Sequence, residues 1–184
     1  MAPDFEERVC LARSVEDEVL QFALGKAESV ASRHPGAVVI GADTVVVLDG
    51  IRFGKPADMD DAKKTLSALS GKTHLILTSV AVSDGAGEAG FQHLEKVLVK
   101  MRPFSADEID RYLSRNESMD KAGAYSIQGH GRALIESISG DYLAAVGMPL
   151  RQLAGYLESR GIALPIAVDD LYQEKRFLNW RSFF

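Results

Sequence analysis

Apolar positions along the chain follow two rhythms. Val15, Val19, Phe22, Ala23, Ala27, Val30 and Ala31 recur at three- and four-residue spacing, which on a helix gathers them into one buried stripe. Ser14-Val-Glu-Asp17 ahead of them has capping-box spacing, with aspartate as the acidic member, and His34-Pro35-Gly36 closes the pattern. A helix is therefore expected over about 15–33. The second rhythm is continuous. Ala37-Val-Val-Ile-Gly-Ala-Asp-Thr-Val-Val-Val-Leu48 is β-branched almost throughout and reads as a strand buried on both faces. Asp49-Gly50 then signals a tight hairpin between Val45–Leu48 and Ile51-Arg-Phe53.

Further along, Asp58 is placed to cap a helix through Ala62, Leu66 and Leu69, ended by Ser70-Gly71. Thr73 to Ser83 reads as a long buried strand, and Phe91 to Met101 as a partly exposed return strand. The glycine-rich loop between them, Asp84 to Gly90, is given no phosphate role because no helix start follows it. Ser105-Ala-Asp-Glu108 is a second capping box, opening a short amphipathic helix with Ile109, Tyr112 and Leu113. Ala133–Ile138 and Tyr142–Val146 resemble short strands. Met148-Pro149-Leu150 begins the last long helix, which runs to about Arg160 before Gly161. After Pro165 the chain becomes charged and aromatic, and this tail either packs as a terminal helix or dangles.

Strands alternating with helices predict an α/β domain over 1–165, built on a mixed twisted sheet flanked by helices, with a tail over 166–184. Ligands collect at the carboxyl ends of strands in such sheets. Asp43 lies at such an end if Val38–Ala42 is the strand proper.

Composition narrows the function. A length of 184 residues suits one domain with a proper core. With 21 basic against 26 acidic residues the formal charge is −5, which argues against a binder of nucleic-acid polymers but suits a small anion held by a few lysines. The single cysteine, Cys10, excludes an intrachain disulfide framework or a cysteine metal cluster and reads as a small hydrophobe. No window approaches the about 18 apolar residues of a membrane span, and no basic region followed by an apolar core opens the chain. A cytoplasmic protein without a membrane partner is expected.

Asp43 is the chemical anomaly. A carboxylate inside greasy β-sheet is costly unless a cation meets it. Gly54-Lys55-Pro56 supplies one candidate, a compact ammonium on a flexible stem that suits phosphate oxygens, beside a glycine that lets backbone come close. Lys26 sits at the border of the first helix's buried face, where a lysine ordinarily snorkels. Attack of water at an α-phosphorus needs a carboxylate to hold metal or orient water, and cations for the phosphate chain.

Taken together, Gly41-Ala-Asp-Thr-Val-Val46, Gly54-Lys-Pro56, Leu69-Ser-Gly71 with His74 and Thr78, Asp120-Lys-Ala-Gly-Ala-Tyr125, Ile127-Gln-Gly129 and Val146-Gly-Met-Pro-Leu150 resemble the Maf family of nucleoside triphosphate pyrophosphatases. The resemblance runs in order from about residue 3 to about 161. It implies a Maf/inosine-triphosphatase-like α/β fold, a divalent cation, Mg²⁺ or Mn²⁺, and hydrolysis of a nucleoside triphosphate to the monophosphate and pyrophosphate. It assigns Asp43 as catalytic base or metal-proximal carboxylate, Thr44 to phosphate or water, and Lys55 to the phosphate chain. Lys26 matches the family's helix lysine near the phosphates, and Glu7 an acidic residue near the metal. Members that prefer dTTP and UTP carry Asp-Lys-Ala-Gly-Ala-Tyr-x-Ile-Gln-Gly, which residues 120–129 match with Ser126 at the free position. Members that prefer 7-methyl-GTP lack the lysine and the Ile-Gln pair. Lys121 is thus expected at the substrate and Gln128 in catalysis, its amide offering donor and acceptor to a base edge or to metal-bound water. His74 is expected to be a structural hydrogen-bonder.

The family's members open with a strand and a Ser-x-Ser-Pro-Arg-Arg segment that finds no counterpart here, so the N-terminal strand is expected to be missing. That departure gives a second reading, a catalytically impaired nucleotide-binding or interaction protein. Asn116-Glu117-Ser118 also replaces the usual Gly-Glu-Pro. The tail falls outside the resemblance and is expected to pack locally or at a homodimer contact.

Overall fold

The computed structural model describes residues 1–8, 13–83 and 89–184. Cys10 and residues 84–88 of the glycine-rich loop lie outside them. Helix α1 (Val15–Ala31) begins where the capping pattern places it, with Ser14 Oγ accepting from the Asp17 N–H at 3.1 Å. Strand β1 (Val39–Leu48) is one continuous element, and Asp49 and Gly50, both at positive φ, turn it into β2 (Ile51–Phe53). Helix α2 (Met59–Leu69) is capped by Asp58. Strands β3 (Thr73–Ser83) and β4 (Ala89–Met101) pair along their length, and α3 (Ala106–Leu113) opens on a complete Ser105/Glu108 capping box. Strand β5 (Ile135–Ser139), α4 (Tyr142–Val146), α5 (Leu150–Ser159) and α6 (Val168–Glu174) follow.

Among the described residues the sheet has five strands in the order β2-β1-β3-β4-β5. The expected α/β architecture with flanking helices is present. All four pairings are antiparallel, however, where the alternation of strands and helices suggested a mixed sheet. Antiparallel neighbours do not require the helical crossover that parallel ones do: the Asp49-Gly50 turn reverses the chain directly from β1 into β2.

Helix α1 covers one face, where Val19 packs with Val45 and Leu77. Ser79, on that face, donates through Oγ to the Val19 carbonyl at 2.6 Å. The opposite face carries the larger core, in which Val46, Ile76, Val97 and Val99 meet Leu66 and Leu69 of α2, Ile109 and Leu113 of α3, and Tyr142 to Ala145 of α4. Helix α5 closes its far end over Val80 and Val82. Tyr142–Val146, expected as a strand, is this α4. Asp141 Oδ1 accepts from the Leu143 and Ala144 N–H groups at 2.8 and 3.3 Å, and Gly147 at φ +121° stops the helix. With a single β-branched residue and a cap at each end, local chemistry favours helix over strand. The tail packs: Trp180 is 3% exposed within the main core. No helix among the described residues is long and apolar enough to cross a membrane.

Candidate active site

Strand β2 pairs with β1 only through Val46, Val47 and Leu48. The same edge of β1 from Val39 to Val45 has no neighbouring strand among the described residues, so a notch opens beside Asp43 where β2 ends. The site therefore lies mid-strand at the sheet edge, since β1 runs on to Leu48. The expectation that Asp43 terminates a strand is corrected: Thr44 to Val47 continue the ladder against β3 without a break.

A series of close approaches builds the acidic side of the notch. Gly41 lets α1 lie against the strand, because a Cβ there would stand 2.2 Å from the Ala23 carbonyl oxygen and 2.8 Å from the Ala27 nitrogen. Lys26, between those two helical residues, thereby reaches Asp43, its Nζ donating to Oδ1 at 2.5 Å. Gly25 in turn seats the Phe5 ring, which meets Phe22 edge-on at 6.2 Å. That anchor brings Glu7 to Lys26, with Oε1 2.6 Å from Nζ.

One ammonium is thus shared by two carboxylates, whose side chains are 48% exposed for Glu7 and 12% for Asp43. Burial pushes the Asp43 carboxyl above the usual aspartate range, against the pull of the Lys26 hydrogen bond and, farther off, of Lys55. Burial works to lower the Lys26 ammonium, yet the bonds from Asp43 and Glu7 outweigh it and hold Lys26 protonated.

The other wall comes from the 120–131 segment. Gly123, at φ +72°, donates its N–H to the Gly54 carbonyl at 3.1 Å, tying this segment to the Lys55 turn. A Cβ on Gly123 would stand 2.9 Å from a Val46 methyl, so glycine is required on both counts. The Tyr125 hydroxyl lies 2.7 Å from His74 Nε2, the buried structural contact expected of that histidine. The Ser126 N–H donates to the Tyr112 hydroxyl at 2.9 Å, and Glu117 accepts from the His130 N–H at 2.8 Å. Lys121 forms an ion pair with Asp120, whose carboxyl is lowered chiefly by that bond. On the opposite face of β1 from Asp43, Thr44 Oγ1 lies 3.1 Å from Thr78 Oγ1 and beside Gly147.

The result is one cleft of about 890 Å³ lined by Glu7, Lys26, Asp43, Thr44, Lys55, Lys121 and Gln128. All seven residues singled out in the sequence come together there. Arg52, which the sequence reading passed over, lines it too. Its guanidinium forms an ion pair with Glu18, a carboxylate 1% exposed on α1. An acidic residue amid the first helix's apolar stripe was the available signal, since such a group needs a partner.

Among the described residues no group of three or more His, Cys, Asp or Glu gathers for a metal. Glu7 and Asp43 form a two-carboxylate donor set converging on a cation. That set fits Mg²⁺, which is ordinarily held by one or two carboxylates together with substrate phosphates.

Comparison with known proteins bears on this geometry. The family model described as "Maf-like protein" matches residues 1–160. Among curated relatives, a dTTP/UTP pyrophosphatase of Symbiobacterium thermophilum is 46% identical over 159 residues, covering 86% of this chain and 81% of the relative. Another from Dictyoglomus turgidum is 45% identical over 152 residues, covering 83% and 79%. A third, from Methanococcoides burtonii, is 39% identical over 160 residues, covering 87% and 82%. With its candidate site residues lining a single cleft and its sequence matched over most of its length, the chain belongs to the Maf family.

Proposed function

We propose that the protein is a metal-dependent nucleoside triphosphate pyrophosphatase that converts dTTP, UTP or a modified pyrimidine triphosphate to the monophosphate and pyrophosphate. The observation that carries this reading is the convergence of a paired carboxylate site, three lysines and an amide in one cleft, from segments separated by more than a hundred residues. The relatives' names supply the substrate class, and the 120–129 motif supports pyrimidine nucleotides.

Water attacks the α-phosphorus, the bond from that phosphorus to the bridging oxygen breaks, and pyrophosphate leaves. Asp43 accepts the proton of the attacking water, a task suited to a carboxyl whose affinity for protons burial has raised. Lys55 and Lys121 neutralise the phosphate chain and the departing pyrophosphate, where preoriented charge is most effective. Lys26 fixes the Asp43 carboxylate from the protein side. Thr44 orients phosphate or water at the strand, and the Gln128 amide meets the base edge or the water. Glu7 and Asp43 would hold the divalent cation. When bound, that ion supplies further charge neutralisation at the phosphates.

Purified protein incubated with Mg²⁺ or Mn²⁺ and a panel of dTTP, UTP, dCTP, dATP and dGTP tests the reading. Release of pyrophosphate and monophosphate with dTTP and UTP leading is expected. An absence of release from all nucleotides, or undiminished release by Asp43→Asn, overturns it.

A further inference from the structure

The family match ends at residue 160, yet the segment beyond it reaches back to the backbone of residues 127 and 129, beside Gln128 of the cleft wall. Helix α6 stops at Lys175, which adopts φ +47°, and Asn179 adopts φ +65° before the single turn Trp180–Ser182. Trp180 fastens this segment to the body of the protein. It stacks on Tyr142 with ring centroids 5.1 Å apart and meets Tyr172 edge-on at 5.3 Å. Arg132 adds a second fastening, donating to Ser182 Oγ at 2.8 Å and to the Ser182 carbonyl at 3.0 Å while its guanidinium lies over the Phe183 ring. The Tyr142 hydroxyl also donates to the Leu178 carbonyl.

Held between these anchors, the Asn179 side-chain amide donates to the Ile127 carbonyl and to the Gly129 carbonyl, both at 3.0 Å. Those two carbonyls flank Gln128. A single planar NH₂ group thus holds the peptide entering Gln128 and the peptide leaving Gly129, bracketing a residue that lines the cleft. The Ser182 hydroxyl donates to the Asn179 carbonyl at 2.6 Å, so the backbone carrying the amide is itself braced. The left-handed conformation that aims the amide is one asparagine tolerates better than most residues.

We propose that the C-terminal segment is a clamp on the active-site loop, with Asn179 the positioning residue for Gln128. This rests on the functional reading above for its consequence in catalysis, though the clamp itself is independent of that reading. Loss of the amide frees the Ile127–Gly129 turn and lets Gln128 leave the orientation in which it meets substrate. A misplacement on the scale of 1 Å in such a group can lower turnover up to about 10²-fold, and a partial release costs less.

Asn179→Gly is the informative variant, because glycine keeps the positive φ without strain while removing the amide that makes both hydrogen bonds. It is compared with Gln128→Ala and the double variant on dTTP. Asn179→Gly should lower kcat/KM about tenfold in the natural background and less than about twofold when Gln128 is already alanine, the signature of coupled residues. Unchanged kcat/KM, or an equal loss in both backgrounds, overturns the clamp. Hydrogen exchange of amides 127–130 separates the two readings should the unaltered protein hydrolyse no triphosphate. Exchange accelerated about tenfold by Asn179→Gly then upholds the clamp while the functional reading falls, and unaltered exchange overturns the clamp as well.

Discussion

Replacing Lys26 with methionine removes one charge and keeps a stem of similar length, and the arrangement of the notch predicts an unusual outcome. Asp43 and Glu7 are left facing each other without their shared ammonium. Breaking a fully buried ion pair costs about 3–5 kcal/mol because the remaining charge is stranded. Here the side chains of Lys26 and Asp43 are 21% and 12% exposed, so solvent relieves part of that and about 2–3 kcal/mol is expected. For a chain of this size that lowers Tm by about 5–10 °C. The deficit depends on pH in a defined sense. Burial already raises the Asp43 carboxyl, and loss of Lys26 raises it further, so the folded variant binds a proton more tightly than the unfolded chain. Its deficit relative to the unaltered protein shrinks as pH falls through the raised pKa. Thermal melts of both proteins across a pH series measure this. Asp43→Asn is the control: Lys26 keeps Glu7, so folding changes by about 1 kcal/mol or less, while kcat falls about 10²- to 10⁴-fold with the loss of the proton acceptor. A Lys26→Met protein as stable as its parent at neutral pH, or a deficit that ignores acidification, refutes this account of the trio.

Other sites give sharper local tests. Gly41→Ala inserts a methyl against helix backbone that cannot turn aside; it should destabilise by about 1–3 kcal/mol and weaken dTTP turnover by moving Lys26 from Asp43, measured by melts and pyrophosphate release. Arg52→Met removes the ion pair of the buried Glu18 carboxylate and should cost about 1–3 kcal/mol in urea unfolding, whereas Arg52→Met combined with Glu18→Leu should recover part of it. Burial depresses His74 from 6.5 to about 4. Between those values the unfolded chain binds the proton and the folded one does not. The corresponding stability, about 3 kcal/mol, is therefore full above about pH 6.5 and lost as pH falls toward 4. A His74→Phe variant should lack that slope in acid titrations of stability.

Much of the fold was legible because local chemistry and tertiary context agree. Strand β3 spans Thr73–Ser83, where its apolar run predicted it, and both the Asp49-Gly50 turn and the Ser105 capping box form. Helix α4 was misread because Tyr142 to Val146 are uniformly apolar, and such a run carries no period; Asp141 and Gly147 were the decisive residues at its ends. Strand direction depends on which strands meet, a matter of long-range pairing that spacing alone does not encode. The site was legible for the same reason that it is chemical: a carboxylate in a β-branched run and lysines beside glycines violate local expectation. Arg52 and Asn179 escaped notice because each looks ordinary in its own segment. Arg52 sits in a three-residue strand, and its partner Glu18 lies 34 positions away in sequence. Asn179 acts on carbonyls about 50 positions distant.

The most direct measurement follows the oxygen. Hydrolysis of dTTP in ¹⁸O-labelled water with Mg²⁺, read by ³¹P NMR and mass spectrometry, should place the label in the monophosphate alone, with unlabelled pyrophosphate beside it and neither product from Asp43→Asn. Label in the pyrophosphate, release of inorganic phosphate with a diphosphate, or equal turnover by Asp43→Asn would contradict attack at the α-phosphorus from the Asp43 notch.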